Sequence, residues 1–488
     1  YTLLINFDNK KFLMDYNTWY LQWLAGEVKK YDTESEIHVN SHAIFSNAAE
    51  YNFPAWRHFL TSLGGSAHPS WHFGYFNRSQ YAMALAANCE IIRSGAGKLP
   101  FWITELQGGN NTYSGFNGFC PTSEEATQWL WTCLGTGAEG IIFWCFNPRS
   151  IGEEAGEWAM LDFQNNPSDR LLAAREVIAT VDAHKQLFSR MQSFNSPISI
   201  LYTRESLWTE KQVQYNNSSD NNYEGRFPGG VMKSAVACYE ILSENGIKSN
   251  FGEIGEFDWN KNDYSGECII LAHQISIPSP YWEPLKQFVA KGGKVIMEGL
   301  TAYYDENMLN LNAVGSPLHE LFGGALSEVV CIPGDFHIPF GNTEMPTHLW
   351  KSHIHLTEGT PLIREGNHIL ALRHQYGRGS VVWLPALVAL GAERSKNKKP
   401  LSDFLRAELQ EQIRQLPFIF LSHQEGVSML ILQAGDEYIS VIINKDIRSK
   451  KIKLTDHPLS PTVLFSDSEV SKKMINIAPE ETIVIHWK

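Results

Sequence analysis

From about residue 10 to 190, short apolar runs alternate with helical stretches about four times, and that alternation restricts the chain to few folds. "EIHVN" at 36–40, "FLTSLGGSAHP", "LPFWIT" and "IIFWCF" have the length and side chains of strands. "SQYAMALAANCEIIR" reads as a helix stopped by Gly95 and Gly97, and "TSEEATQWLWTCLGTGAEG" as one opened by a capping box from Thr122 to Glu125. Ahead of them, "DYNTWYLQWLAGEVKKYD" reads as a helix capped by Asp15. Apolar strands joined by helices are covered on both faces, which calls for a parallel sheet, either open or closed into a barrel.

A second α/β set follows from about residue 196 to 420. "ISILYT", "ECIILAH" and "KVIMEG" are buried-type strands, and "GVMKSAVACYEILSENGI" and "YWEPLKQFVAKGG" are amphipathic helices running into glycine. This is a doubly wound, flavodoxin-like pattern. After about 422 the chain turns to short β segments, "SMLILQAG", "EYISVIIN", "KKIKLTD", "TVLFSD" and "ETIVIHWK", which suit a small antiparallel β-domain. The expected organisation is therefore α/β, with domains at 1–192, 193–421 and 422–488.

Composition narrows the function. The 488 residues carry a formal charge of −13 spread along the chain, and no run of eighteen apolar residues occurs. Neither nucleic acid nor a membrane is an expected partner. Many of the 15 Trp, 18 Tyr and 26 Phe stand beside Asn, Gln, His or Gly, a mixture that suits sugar faces as well as core filling. The seven cysteines are widely spaced, without CxxC pairs, and are expected as buried free thiols, which favours a reducing compartment. Cytoplasmic and periplasmic placement both stay open.

In parallel α/β folds, functional side chains collect at the carboxyl ends of strands, where loops vary on a fixed scaffold. In "PFWITELQGGNN", Glu105 stands where the apolar run meets a polar, glycine-rich stretch. Read alone, it is either a catalytic carboxylate or a surface glutamate paired with an arginine. Gln107, Asn110 and Asn111 are candidate partners for sugar hydroxyls, with Gly108 and Gly109 allowing close approach. His38 and His42, and His68 and His72, are spaced four apart, but in strand or loop the ends lie roughly 13 Å apart, beyond one ion. No metal site is expected. Asn40, His42, His68 and Trp71 are read instead as the rim of a sugar pocket.

"PFWITELQGGNN", followed by "GTGAEGIIFWCFNPRSIGEEAGEWAMLD", resembles the last two barrel strands of glycoside hydrolase family 42 and its relatives in the same barrel clan. The resemblance implies a (β/α)8 barrel, here its C-terminal half, then an amidotransferase-like domain that forms a homotrimer, then the small β-domain. It makes Glu105 the nucleophile of a retaining, two-carboxylate glycosidase that needs no cofactor. His68, in "SAHP", falls where the clan often has a tyrosine donating to the nucleophile. Trp144 falls at the aromatic platform under the sugar, with Arg149 just beyond. Glu154 and Glu157 match a Glu-x-x-His sugar clamp whose second member is acidic in this chain, so galactose, mannose and glucose configurations stay open. The reading is β-galactosidase-like hydrolysis of a β-glycoside; the alternatives are a β-mannosidase or other exo-β-glycosidase, and a non-catalytic sugar-binding barrel. No GxCxG or GxSxG motif occurs, so the middle domain is expected to serve assembly. The clan's acid/base glutamate follows an asparagine at the fourth barrel strand, and no such pair precedes "EIHVN". The chain is thus expected to be the C-terminal part of a longer enzyme, lacking the acid/base and inactive in hydrolysis alone.

Overall fold

The computed structural model describes residues 2–213 and 220–488. It comprises two compact units: Tyr16–Asn195 with Ser243–Lys248 and Pro417–Lys488, and Tyr1–Asp15 with Ser196–Leu242 and Ser249–Leu416. The first element, α1 (Thr2–Lys29), is a 28-residue helix. Asp15 lies inside it rather than at its cap, because no Pro or Gly interrupts the stretch before that residue.

In the Tyr16–Asn195 unit, β1 (His38–Ser41), β2 (Ser62–Ala67), β3 (Phe101–Gln107) and β4 (Gly140–Trp144) form one sheet in chain order. All three pairings are parallel. Parallel neighbours need crossovers: short helical turns at Ile44–Asn47 and Phe53–Trp56 lie between β1 and β2, α2 (Tyr81–Ala96) between β2 and β3, and α3 (Ser123–Gly135) between β3 and β4; α4 (Asp169–Ala183) follows β4. This is the β/α repeat of half a (β/α)8 barrel. Helix α2 passes through Gly95 and stops at Ala96, with Gly97 at φ 64°, a left-handed position that glycine takes without strain. The capping box holds at α3: Thr122 Oγ1 accepts from the Glu125 N–H at 3.1 Å, and Glu125 accepts from the Thr122 N–H at 3.0 Å. Every position of β2 is buried.

The same unit contains a five-stranded antiparallel sheet in the order Pro461–Phe465, Thr482–Trp487, Glu437–Asn444, Val427–Ala434 and Gln192–Ser193. Four cysteines are buried as expected, but Cys120 and Cys331 are exposed, one in a loop and one on a strand that alternates between solvent and core.

The other unit is built on a seven-stranded sheet. Five of its strands are parallel, in the order Asn250–Glu253, Ile198–Tyr202, Cys268–Ala272, Lys294–Glu298, Gly379–Leu384. The antiparallel His368–Tyr376 and Thr360–Glu365 extend it. The order reverses between Ile198–Tyr202 and Cys268–Ala272, the crevice where doubly wound sheets bind ligands. Here buried hydroxyls fill it: Thr203 and Ser206 both donate to the Ser276 carbonyl, at 2.7 and 3.0 Å, and the Thr203 N–H donates to Gln274 at 2.9 Å. A long hairpin, Gly324–Phe340 with Thr343–Leu356, was not expected. No helix among the described residues is long and apolar enough to cross a membrane.

Candidate active site

Glu105 is the fifth residue of β3, which runs on to Gln107 rather than stopping at the glutamate. Its carboxylate opens into a cavity of about 300 Å³ lined by Asn40, His42, His68, Trp71, His72, Glu105, Trp144 and Glu154. Seven of these were singled out in the sequence as site residues. His72 was considered only as a metal ligand.

Ser66 donates its hydroxyl proton to Glu105 Oε2 at 2.6 Å. His68 Nε2 stands 4.0 Å from the same oxygen, too far for a hydrogen bond. The residue bonded to Glu105 is thus the serine directly across from it on β2, not the histidine two positions on. His68 is buried, with neither ring nitrogen hydrogen-bonded. Burial, reinforced by the neighbouring His72, brings its pKa down to about 3. Burial, reinforced by His42, brings that of His72 to about 4. Both imidazoles are neutral near pH 7, so this wall offers hydrogen-bonding nitrogens without charge.

The segment 68–72 is a helical turn rather than extended chain, because Pro69 takes a first-turn position behind His68. The His68 and His72 rings are therefore 5.7 Å apart, and His72 is 6.0 Å from His42. That corrects the geometric reason for setting the pair aside. Among the described residues, no group of three or more His, Cys, Asp or Glu is arranged to hold a metal ion.

Aromatic rings support the cavity. Trp71 stacks on buried Trp158 at 6.0 Å and 23°, and His68 meets the same indole edge-on at 4.9 Å. Trp144 Nε1 donates to Glu154 at 3.2 Å, and Arg149 both pairs with Glu154 and lies 5.2 Å over the Trp144 ring.

Five expected site residues, Gln107, Asn110, Asn111, Arg149 and Glu157, do not line the cavity. Buried Gln107 accepts from the Ser70 N–H at 3.1 Å and donates to the Gly109 carbonyl at 3.2 Å. Asn110 donates to Thr112 at 3.1 Å, and Arg149 stands behind Glu154. Glu157 accepts from the N–H groups of Thr112 and Tyr113 at 2.8 and 2.7 Å. Burial opposes its charge, but the Ser114 hydroxyl and these backbone donors hold the carboxyl below its ordinary range. Neighbouring Asn111 is likewise engaged, accepting from the Phe119 N–H at 3.1 Å.

A family model described as "Beta-galactosidase" matches residues 3–185, and one described as "Beta-galactosidase trimerisation domain" matches residues 196–413. The chain is similar to the β-galactosidase bgaB of Geobacillus kaustophilus, 23% identical over 347 residues, or 67% of this chain and 49% of that protein. It thus spans about half the length of the curated relatives it matches. Among solved structures, it is similar to a catalytic mutant of Gan42B, a GH42 β-galactosidase from G. stearothermophilus: TM-score 0.80, 17% identity, 99% of this chain and 68% of that one. A β-galactosidase from Bacillus circulans sp. alkalophilus gives TM-score 0.79 at 15% identity, over 100% of this chain and 68% of its own. Two successive models of one family account for most of these residues, and the chain belongs to glycoside hydrolase family 42.

Proposed function

We propose that this chain supplies the nucleophile side of a retaining β-glycosidase acting on β-galactosides, with Glu105 attacking the anomeric carbon. The observation that carries this reading is a strand-borne carboxylate, hydrogen-bonded by Ser66, in a cavity lined by indole and imidazole rings. One Glu105 oxygen bonds to the anomeric carbon while the bond to the leaving oxygen breaks, that oxygen departing with the electron pair. Water then displaces the carboxylate. A retaining pair needs a second carboxyl about 5 to 5.5 Å away. Glu154 also lines the cavity, but its Oε2 already accepts from Arg149 and Trp144, which suits an acceptor for sugar hydroxyls rather than a proton donor. We assign the acid/base to a complementary half-barrel. β1 and β4 each have an open edge, and α1 exposes Trp19, Tyr20 and Trp23, surfaces that a closed barrel would cover.

The test is covalent trapping with a fluorinated dinitrophenyl β-galactoside, whose leaving group departs unprotonated and whose fluorine slows release. One sugar added to the protein and mapped to Glu105 is the expected result. No adduct, or an adduct on another residue, overturns the reading. The same reagent in gluco and manno configuration distinguishes the sugars. Replacing Glu154 by alanine should weaken binding of the preferred sugar by about 1.5 to 3 kcal/mol, read as inhibitor affinity, because buried hydroxyls lose a charged acceptor.

The other unit is best read as an assembly element forming a homotrimer: its switch-point crevice is filled by Thr203, Ser206 and Ser276, and the matching family model carries trimerisation in its description. Light scattering at three times the chain mass is expected, and a monomer would contradict it.

A further inference from the structure

We propose that a β-bulge at Thr104 and a hydrogen-bonded series of Thr104, Asn40 and Ser66 fix the orientation of the Glu105 carboxylate, which makes these three positioning residues. The proposal rests on the reading of Glu105 as nucleophile.

Consecutive side chains of a regular strand point to opposite faces, so Thr104 and Glu105 should not serve one site. The register shows why they do. Across β2, Gly65 pairs with Ile103 and Ser66 with Glu105, leaving Thr104 without a partner. Across β4, Ile103 pairs with Ile141 and Leu106 with Phe143, again one residue too many on β3. Such a bulge re-aims the side chains beside it. Thr104 Oγ1 comes within 2.7 Å of Asn40 Oδ1, while Glu105 turns to Ser66.

The direction of each bond follows from the donors available. Thr104 donates to Asn40 Oδ1, and Asn40 meets Ser66 Oγ with both its amide nitrogen at 3.1 Å and Oδ1 at 3.2 Å; with Oδ1 already accepting from Thr104, the nitrogen is the donor to Ser66. Ser66 accepts there, and its single proton goes to the carboxylate at 2.6 Å, the shorter and charge-assisted bond. With Oε2 held, the other oxygen is left for the sugar. Gly64 makes room for the turn: a Cβ there would stand 2.7 Å from Thr104 Oγ1 and 2.1 Å from His38 Nε2. Neither Ser66 nor Thr104 lines the cavity, so their effect on the reaction runs through Glu105 and Asn40.

The experiment measures inhibitor affinity and inactivation rate separately with the same trapping reagent. Ser66→Ala should slow inactivation about 10- to 100-fold with affinity within about twofold, the scale of a slightly misplaced reacting group. Thr104→Val, which keeps shape and removes the hydroxyl, should slow it by a smaller factor, and Thr104→Ser should restore it. An unlabelled wild type would sink the nucleophile assignment itself. A labelled wild type with Ser66→Ala and Thr104→Val reacting at its rate would overturn the positioning proposal alone. So would a loss confined to affinity, or a Thr104→Ser variant as slow as Thr104→Val.

Discussion

Replacing Glu105 by alanine is expected to slow reaction of an activated aryl β-galactoside by roughly 10³-fold or more, at least about 4 kcal/mol, because the covalent route has no substitute in the cavity. Azide should return part of the rate. A small anion occupying the vacated carboxylate position attacks from the same side, so a β-glycoside should give the α-glycosyl azide. The configuration of that product separates a nucleophile from an acid/base, whose removal would leave the sugar–enzyme bond forming and give the β-azide. Product analysis by NMR reads the difference directly. A β-azide product, or an alanine variant retaining most of its turnover, would remove Glu105 from the nucleophile role.

What the sequence disclosed about this site follows from what each residue type announces. Glu105 was legible because a charged residue at the junction of an apolar run and a glycine-rich loop has few bland explanations. Ser66 was not, since a serine in "SLGGSA" looks like a small residue in a close-packed strand, and its role depends on a cross-strand register no single strand encodes. The bulge at Thr104 leaves no mark in composition either, because one extra residue on β3 does not change the apolar content that identifies the strand. The spacing of His68 and His72 was discounted because the segment reads as strand and loop, yet Pro69 suits the first turn of a helix, its missing N–H having no intrahelical partner. Glu157 was read from a motif position, but its carboxylate is already met by the backbone of residues 112–114, a contact set by loop closure. In the other unit, Pro333 and Pro339 obscured the Gly324–Phe340 strand, since proline argues against a central strand and is accommodated at edges and irregularities.

Glu90→Gln is expected to destabilise its unit by about 3 to 5 kcal/mol near pH 7, the scale for leaving a buried charge unpaired. Glu90 lies on α2 and is 0% exposed; Lys248, 1% exposed, and Arg93 both donate to it. Burial works against both charges. On Glu90 it is outweighed by the two cations, which hold the carboxyl below its ordinary 4.5. On Lys248 burial prevails over a carboxylate that it shares with Arg93, and the ammonium falls from 10.5 to about 8. The pH dependence follows from those directions. Glu90, with its folded value lowered, contributes stability that is present above 4.5 and lost as pH falls through the folded value. Lys248, lowered as well, binds its proton more tightly in the unfolded chain, so the wild type gains stability as pH rises from about 8 toward 10.5. Without Glu90 the ammonium is pushed lower still, and that gain begins at lower pH and is larger. The deficit of Glu90→Gln should therefore be greatest somewhat above about pH 5, begin to shrink below about pH 8 as the variant's lysine deprotonates, and shrink also toward acid. Pairing it with Lys248→Met should recover part of the loss, since the fully buried ammonium is removed while Arg93, 24% exposed, keeps access to water. Urea unfolding of the wild type and both variants across pH tests this: a deficit constant from pH 5 to 10, or a double variant as weak as the single, would show that Glu90 acts through packing rather than through its charge.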